Sequence, residues 1–245
     1  MIKVNTLIEL LKKNKTNFFT GVPDSVLKEL SSFIQKKNKN QHIIASNEGA
    51  AVSIGIGHYL STKKIPAVYM QNSGLSNALN PLISIAHKQV YSIPLILIIG
   101  WRGSPHVKDE PQHNVKGKIT EQILRLLKIK YTILRSLSDI KKFDKQIKLA
   151  RKNKSIVACL IEQGTLEKTK NIKNKKDFYS LDKELFLKNL LENLKRNTKI
   201  ISSTGYNSRE LIYLREKYKF KNNKDFYMVG GMGHTSSVAL GYSLN

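Results

Sequence analysis

Short apolar runs alternate with longer amphipathic stretches over the first 164 residues. The runs at 17–20, 42–45, 67–70, 93–100, 131–134 and 156–161 have the length and residue types of buried strands. The stretches at 25–34, 48–60, 75–87, 118–127 and 139–151 carry apolar positions at helical spacing. Strands alternating with helices predict an α/β fold, a mostly parallel, doubly wound sheet covered by helices on both faces. Ligands of such sheets bind beyond the carboxyl ends of the strands, so chemistry is expected in the segments that follow the strands.

The pattern fails after residue 164. Five lysines between 168 and 176, with almost nothing apolar among them, predict a solvated linker over 165–181. Periodicity resumes at Asp182, which suits the N-cap of a helix running to 195. A strand at 199–203, a helix at 208–218, a strand at 226–229 and a helix starting near 236 follow. The expected organisation is one α/β domain over 1–164 and an incomplete second α/β domain over 182–245.

Charge changes the picture less than its size suggests. Lys and Arg number 42 against 18 Asp and Glu, a net +24, which raises nucleic acid as a partner. The lysines are dispersed beside Asn and Ile, as in Lys12-Lys13-Asn14-Lys15 and Lys36-Lys37-Asn38-Lys39-Asn40. There is no zinc-finger spacing, RNP-like aromatic motif or helix-turn-helix pattern. Nucleic acid is therefore not expected as a partner, while the overall field favours anionic small molecules. No apolar run approaches the roughly 20 residues that cross a bilayer, and Met1-Ile2-Lys3-Val4-Asn5 opens no secretory leader. A cytoplasmic protein without a membrane partner is the expectation. The single cysteine, Cys159, lies in an apolar run and is expected as a small core residue.

Three segments that follow strands carry candidate chemistry. Strand 42–45 leads into Ser46-Asn47-Glu48-Gly49-Ala50-Ala51, where a carboxylate suits either a helix N-terminus or a reaction. Strand 67–70 leads into Gln71-Asn72-Ser73-Gly74-Leu75-Ser76-Asn77, a polar, glycine-bearing turn that is either structural or offers backbone donors to a ligand. The segment 102–116 holds Arg102, His106, Lys108, His113 and Lys116, donors suited to a substrate with two anionic groups. In the second domain, the glycines of Gly230-Gly231-Met232-Gly233 allow close backbone approach, or simply form a turn around a core methionine.

Jointly, these motifs resemble a known family. Gly21-Val22-Pro23-Asp24-Ser25, Asn47-Glu48-Gly49-Ala50-Ala51, Asn72-Ser73-Gly74-Leu75-Ser76-Asn77-Ala78-Leu79-Asn80-Pro81, Gly100-Trp101-Arg102-Gly103 and Asp109-Glu110-Pro111-Gln112-His113 stand in that order. They resemble the pyrimidine-binding domain of the phosphonopyruvate decarboxylases. Gly230-Gly231-Met232-Gly233-His234-Thr235-Ser236-Ser237 resembles the opening of that family's pyrophosphate-binding domain. The sulfopyruvate decarboxylases share much of the set.

The resemblance implies the thiamine-diphosphate-binding fold, thiamine diphosphate and Mg2+ as cofactors, and a small 2-oxo acid as substrate. The implied reaction turns 3-phosphonopyruvate into phosphonoacetaldehyde and CO2. Glu48 matches the glutamate that shares a proton with the aminopyrimidine ring and is expected to be mostly buried. Ser73, Gly74 and Asn77 are implied cofactor contacts, and His113 is either the group that protonates the carbanion left when CO2 departs or an inert surface histidine. Gly230 and Met232 are implied to grip the pyrimidine edge, with the Met232 side chain bending the cofactor. His234 either touches the cofactor or caps a helix. Asp24, Ser25 and Arg102 are implied on the substrate side, with helix capping an equal reading for Asp24 and Ser25. The family's sites form between subunits, so self-association into a dimer or larger is implied. Its metal-holding Gly-Asp-Gly triplet occurs nowhere in the sequence, so no metal ligand is assigned. The chain is therefore expected to be either part of a longer or two-polypeptide enzyme or a truncated, non-catalytic remnant.

Overall fold

Strands rich in Ile, Val and Leu build the centre of the first unit. In the computed structural model, β1 (Phe19–Gly21), β2 (His42–Ile44), β3 (Ala67–Gln71), β4 (Ile96–Gly100), β5 (Lys130–Leu134) and β6 (Val157–Ile161) form one parallel sheet. Its order is β2-β1-β3-β4-β6-β5. The structure describes residues 1–38, 40–168, 181–195, 197–221 and 224–244. They fall into two units, Met1–Lys170 and Asn171–Asn245.

Strands β3, β4 and β6 are buried along their whole length, as central strands covered on both faces must be. Their side chains alternate between two cores. Tyr69, Ile98 and Cys159 pack with α1 (Val4–Lys13), α2 (Lys28–Ile34) and α6 (Leu137–Asn153) on one face. Met70, Leu97, Ile99 and Leu160 pack with α3 (Glu48–Thr62), α4 (Leu75–Pro81) and α5 (Pro111–Leu126) on the other. The doubly wound α/β expectation is met, and Cys159 is a fully buried core residue. The chain leaves β1 for β2 on one side and then crosses back to β3 on the other. That reversal opens a crevice at the carboxyl ends of β1 and β3, where a ligand site is expected.

Several boundaries differ from the expectations. α1 is absent from the predicted elements, although Val4, Leu7, Ile8 and Leu11 have the helical spacing of a buried face. β1 starts at Phe19 instead of 17 because its pairing with both neighbours begins there. β4 starts at Ile96 instead of 93, after Pro94, which has no amide hydrogen to give a ladder. α2 starts at Lys28 instead of 25, since the Asp24 carboxylate first draws the Val26 and Leu27 amides into a turn. The helix predicted over 75–87 runs as α4 and then a π turn, Leu82–Ala86, behind Pro81. α5 starts at Pro111 instead of 118, proline being suited to a first helical position. His113 and Lys116 therefore stand on a helix and not in a loop.

The start of the predicted linker also belongs to the sheet unit. Ile2 N donates to Thr165 O at 2.8 Å, Glu167 N donates to Ile2 O at 2.9 Å, and Leu166 is buried. The remaining linker residues, 169–180, lie outside the described residues.

The second unit contains α7 (Lys183–Glu192), β7 (Ile201–Ser202), α8 (Tyr206–Lys217), β8 (Phe226–Tyr227) and α9 (Thr235–Ser243). The Asp182 carboxylate caps α7 as expected, accepting from Leu185 N at 2.7 Å. β7 and β8 pair in parallel, shorter than the runs predicted for them, and Leu187, Leu191, Leu211 and Leu214 form a small core. Among the described residues no helix is long and apolar enough to cross a membrane.

Candidate active site

Every candidate of the first unit follows a strand at the carboxyl edge of the sheet. Asp24 and Ser25 follow β1, Glu48 opens α3 after β2, and Ser73, Gly74 and Asn77 follow β3. Arg102 follows β4, and His113 lies in the first turn of α5.

Glu48 is only 7% exposed, in agreement with the expectation of burial. Asn47 takes the N-cap, its side chain accepting from Ala50 N at 2.8 Å, so capping does not require the Glu48 carboxylate. Glu48 Oε2 instead accepts from Asn77 Nδ2 at 3.0 Å. Gly74 makes room for this carboxyl: a Cβ built there would lie 2.1 Å from Oε1. Oε1 takes no hydrogen bond among the described residues, which leaves one carboxyl oxygen for a ligand. Asn77 and Gly74 thus hold and accommodate Glu48, a task separate from touching a cofactor.

Gln71, which ends β3, and Asn72, the residue after it, reach the two neighbouring strand ends. Gln71 Nε2 donates to Asp24 Oδ1 at 2.5 Å, across to the end of β1. Asn72 clasps the backbone beyond β4: its Oδ1 accepts from Arg102 N at 3.0 Å and its Nδ2 donates to Arg102 O at 2.9 Å. Asn72 Nδ2 also donates to Thr120 Oγ1 on α5 at 2.9 Å. Ser73 Oγ donates to Gln71 Oε1 at 2.6 Å, and Lys116 Nζ donates to Ser73 O at 2.9 Å.

Asp24 is 8% exposed. Its Oδ2 accepts from Val26 N at 3.0 Å and Leu27 N at 3.2 Å, so it caps the turn before α2. Burial pushes its pKa up, opposed by the Gln71 hydrogen bond, the two amides and the Arg102 charge.

Arg102, implied on the substrate side, forms an ion pair with Asp109. Its Nε and Nη2 donate to both Asp109 oxygens, at 2.7 and 2.6 Å, a bidentate pair. Asp109 also accepts from Gly103 N and Glu110 N, each at 2.8 Å. The Arg102 hydrogen bond, first among these influences, holds the Asp109 carboxyl well below the usual range. The remaining Arg102 contact is a long one, Nη1 to Ser25 Oγ at 3.4 Å. His113 is half-buried beside this pair, and burial followed by the Arg102 charge lowers its pKa. Both influences favour the uncharged imidazole. His106 is set apart, edge-on to the Trp101 ring at 6.4 Å.

Gln71, Asn72, Asp109 and Thr120 lie outside the predicted site residues. The first three stand in the quoted motifs, but nothing local shows which strand end each would reach.

In the second unit, Gly230-Gly231-Met232-Gly233 follows β8, with φ of +69° at Gly231 and +86° at Gly233. Those left-handed values suit glycine. Met232 is 54% exposed, which removes the core-methionine alternative. His234 occupies the N-cap of α9, yet its side chain makes no capping hydrogen bond.

Within the first unit, a buried glutamate with one unengaged oxygen suits the pyrimidine end of a thiamine cofactor. For the metal end, no group of three or more His, Cys, Asp or Glu that could hold an ion occurs among the described residues.

Known proteins agree with that chemistry. Residues 3–123 match the family described as thiamine pyrophosphate enzyme, N-terminal TPP binding domain. The chain is 27% identical over 262 residues to phosphonopyruvate decarboxylase of Streptomyces hygroscopicus, covering 100% of this chain and 63% of that one. It is 34% identical over 120 residues to sulfopyruvate decarboxylase subunit alpha of Methanocaldococcus jannaschii, covering 49% of this chain and 68% of that one. Among solved structures, benzoylformate decarboxylase from Polynucleobacter necessarius aligns with a TM-score of 0.52 at 17% identity, over 82% of this chain and 38% of that one. The last likeness is one of fold. The chain spans about three fifths of the length of the phosphonopyruvate decarboxylases it matches, 63% and 59%.

Proposed function

This chain belongs to the thiamine-pyrophosphate-dependent decarboxylases, and from that premise we propose that it serves the decarboxylation of 3-phosphonopyruvate to phosphonoacetaldehyde and CO2. The supporting observation is the buried Glu48 carboxyl, held by Asn77 on one oxygen and unengaged on the other. When bound, thiamine diphosphate supplies the electron sink for the carbon–carbon bond that breaks. The protein's part is to bind, orient and move protons. Glu48 Oε1 holds the aminopyrimidine edge and shares a proton with it, while Gly230 and Met232 offer backbone contacts to a pyrimidine. Arg102, Ser25 and Asp24 face the substrate, and His113 takes up a proton and delivers it to the carbon that CO2 leaves. Because the Arg102 charge is matched by Asp109, a substrate anion engages Arg102 through Nη1 or by displacing Asp109.

Mg2+ for the diphosphate is part of this proposal, with ligands from a longer chain or a second polypeptide. Self-association into a dimer or larger and a cytoplasmic location are part of it too. A second reading, sulfopyruvate decarboxylation, is favoured by the 34% identity over 120 residues to a sulfopyruvate decarboxylase subunit. The two substrates differ by one charge on the distal group.

The test is release of CO2 from 3-phosphonopyruvate, sulfopyruvate and pyruvate by the protein as its gene produces it, with thiamine diphosphate and Mg2+. The expected result is a kcat/KM for 3-phosphonopyruvate at least about tenfold above the others, about 1.4 kcal/mol of discrimination. Preference for sulfopyruvate establishes the second reading, and preference for pyruvate rejects both.

A further inference from the structure

We propose that Gln71 is a positioning residue, fixing the orientation of the Asp24 carboxyl at the crevice between the ends of β1 and β3. The proposal rests on the reading of Asp24 as a substrate-side group and adds a residue to it. The geometry is one-directional. A carboxylate only accepts, so the Gln71 face turned to Asp24 Oδ1 is the NH2 of its amide, at 2.5 Å. The opposite oxygen is engaged by the Ser73 hydroxyl at 2.6 Å, which tethers the amide from its other side. Asp24 Oδ2 is meanwhile set by the Val26 and Leu27 amides and lies where a side chain on Gly100 would have to be. Three elements thus hold one carboxyl, and Gln71 supplies its side-chain hydrogen bond from 47 residues further along the chain.

Simple satisfaction of a buried polar pair would leave function untouched. Here the pair stands beside the charged groups of the site: Arg102 after β4, Asp109 and Glu110 before α5, and His113 on α5. Among the influences that counter burial at Asp24, the Gln71 hydrogen bond is the largest. Loss of Gln71 therefore both releases Oδ1 and favours the protonated form of the carboxyl.

The test follows the 13C carboxyl signal of labelled aspartate through a pH titration, in protein without cofactor or substrate, with Asp24→Asn assigning the signal. Gln71→Met keeps length and volume while removing the donor. The expected result is a rise of the Asp24 midpoint by about one to two pH units, the scale of one hydrogen bond to a charged group. Ser73→Ala leaves the amide in place but unlatched, and a smaller rise is expected. It also decides the matter if Gln71→Met does not fold. Where turnover is measurable, the acid limb of the kcat/KM profile moves with the Asp24 midpoint in Gln71→Met, a displacement that lost stability alone would not cause. An unchanged Asp24 midpoint in the variants overturns the proposal. Because the titration needs no turnover, a shifted midpoint in a protein that decarboxylates nothing supports the Gln71 contact and rejects the function instead.

Discussion

Replacing Gly74 by alanine separates local propensity from tertiary packing, because the two predict opposite signs. Gly74 has φ −83° and ψ −8°, a right-handed conformation open to any residue. Helix propensity alone would favour alanine there by about 1 kcal/mol. Space decides otherwise: the new Cβ would stand 2.1 Å from both the carboxyl carbon and Oε1 of Glu48. Normal contact requires the carboxyl to withdraw by more than an ångström, which breaks its 3.0 Å bond from Asn77. A lost hydrogen bond to a charged group costs about 1.5–3 kcal/mol. Overpacking costs a further ~1–3 kcal/mol. Less the propensity gain, the net loss is roughly 1.5–5 kcal/mol. Urea unfolding read by fluorescence of Trp101, the single tryptophan and a buried one, measures it in the first unit. Glu48→Ala removes the collision partner, so Gly74→Ala made in that background should recover most of the loss. Equal or greater stability of Gly74→Ala, or an undiminished loss in the Glu48→Ala background, would refute the reasoning.

Three further outcomes are expected. Glu48→Gln should fold normally and lose about 10²–10⁴-fold in turnover, since an amide cannot share the proton; steady-state rates near those of the parent would restrict Glu48 to a structural role. Asp109→Asn should destabilise at neutral pH by about 1–3 kcal/mol through loss of charged hydrogen bonds to Arg102. The Asp109 pKa is held below its ordinary 3.8, so this contribution is whole above that value and is lost as pH falls beneath it. Urea midpoints of parent and variant should accordingly converge in acid, and a constant gap would contradict the assignment. Cys159 is fully buried and its thiol is pushed up by burial. A thiol-reactive dye should label it only when the protein is unfolded; rapid labelling of native protein would show that β6 opens.

The sequence by itself determined the alternation of elements, the parallel sheet and the strand ends at which chemistry collects. Buried strands and amphipathic helices write themselves in short-range periods, 2 and 3.6 residues, that need no knowledge of neighbours. The burial of Glu48 was legible through the family resemblance, and that of Cys159 through its apolar run. α1 was also written in that code, its Leu7, Ile8 and Leu11 spaced as a buried face, though it stood outside the predicted elements. Element starts were less legible, because single residues such as Asp24, Pro94 and Pro111 set them through one hydrogen bond gained or missing.

Only the tertiary structure decided what the polar residues do. Gln71 and Asn72 are adjacent in sequence, yet one reaches Asp24 beyond β1 and the other Arg102 beyond β4, because β3 lies between those two strands. Strand order is a long-range outcome, and no local period encodes it. The same holds for Asp109, whose folding back onto Arg102 makes an ion pair that no local pattern announces. It holds for Leu166, which reads as linker until Ile2 pairs beside it. Hydrophobic patterning is local in the chain, while hydrogen-bond partnership depends on which ends the fold brings together.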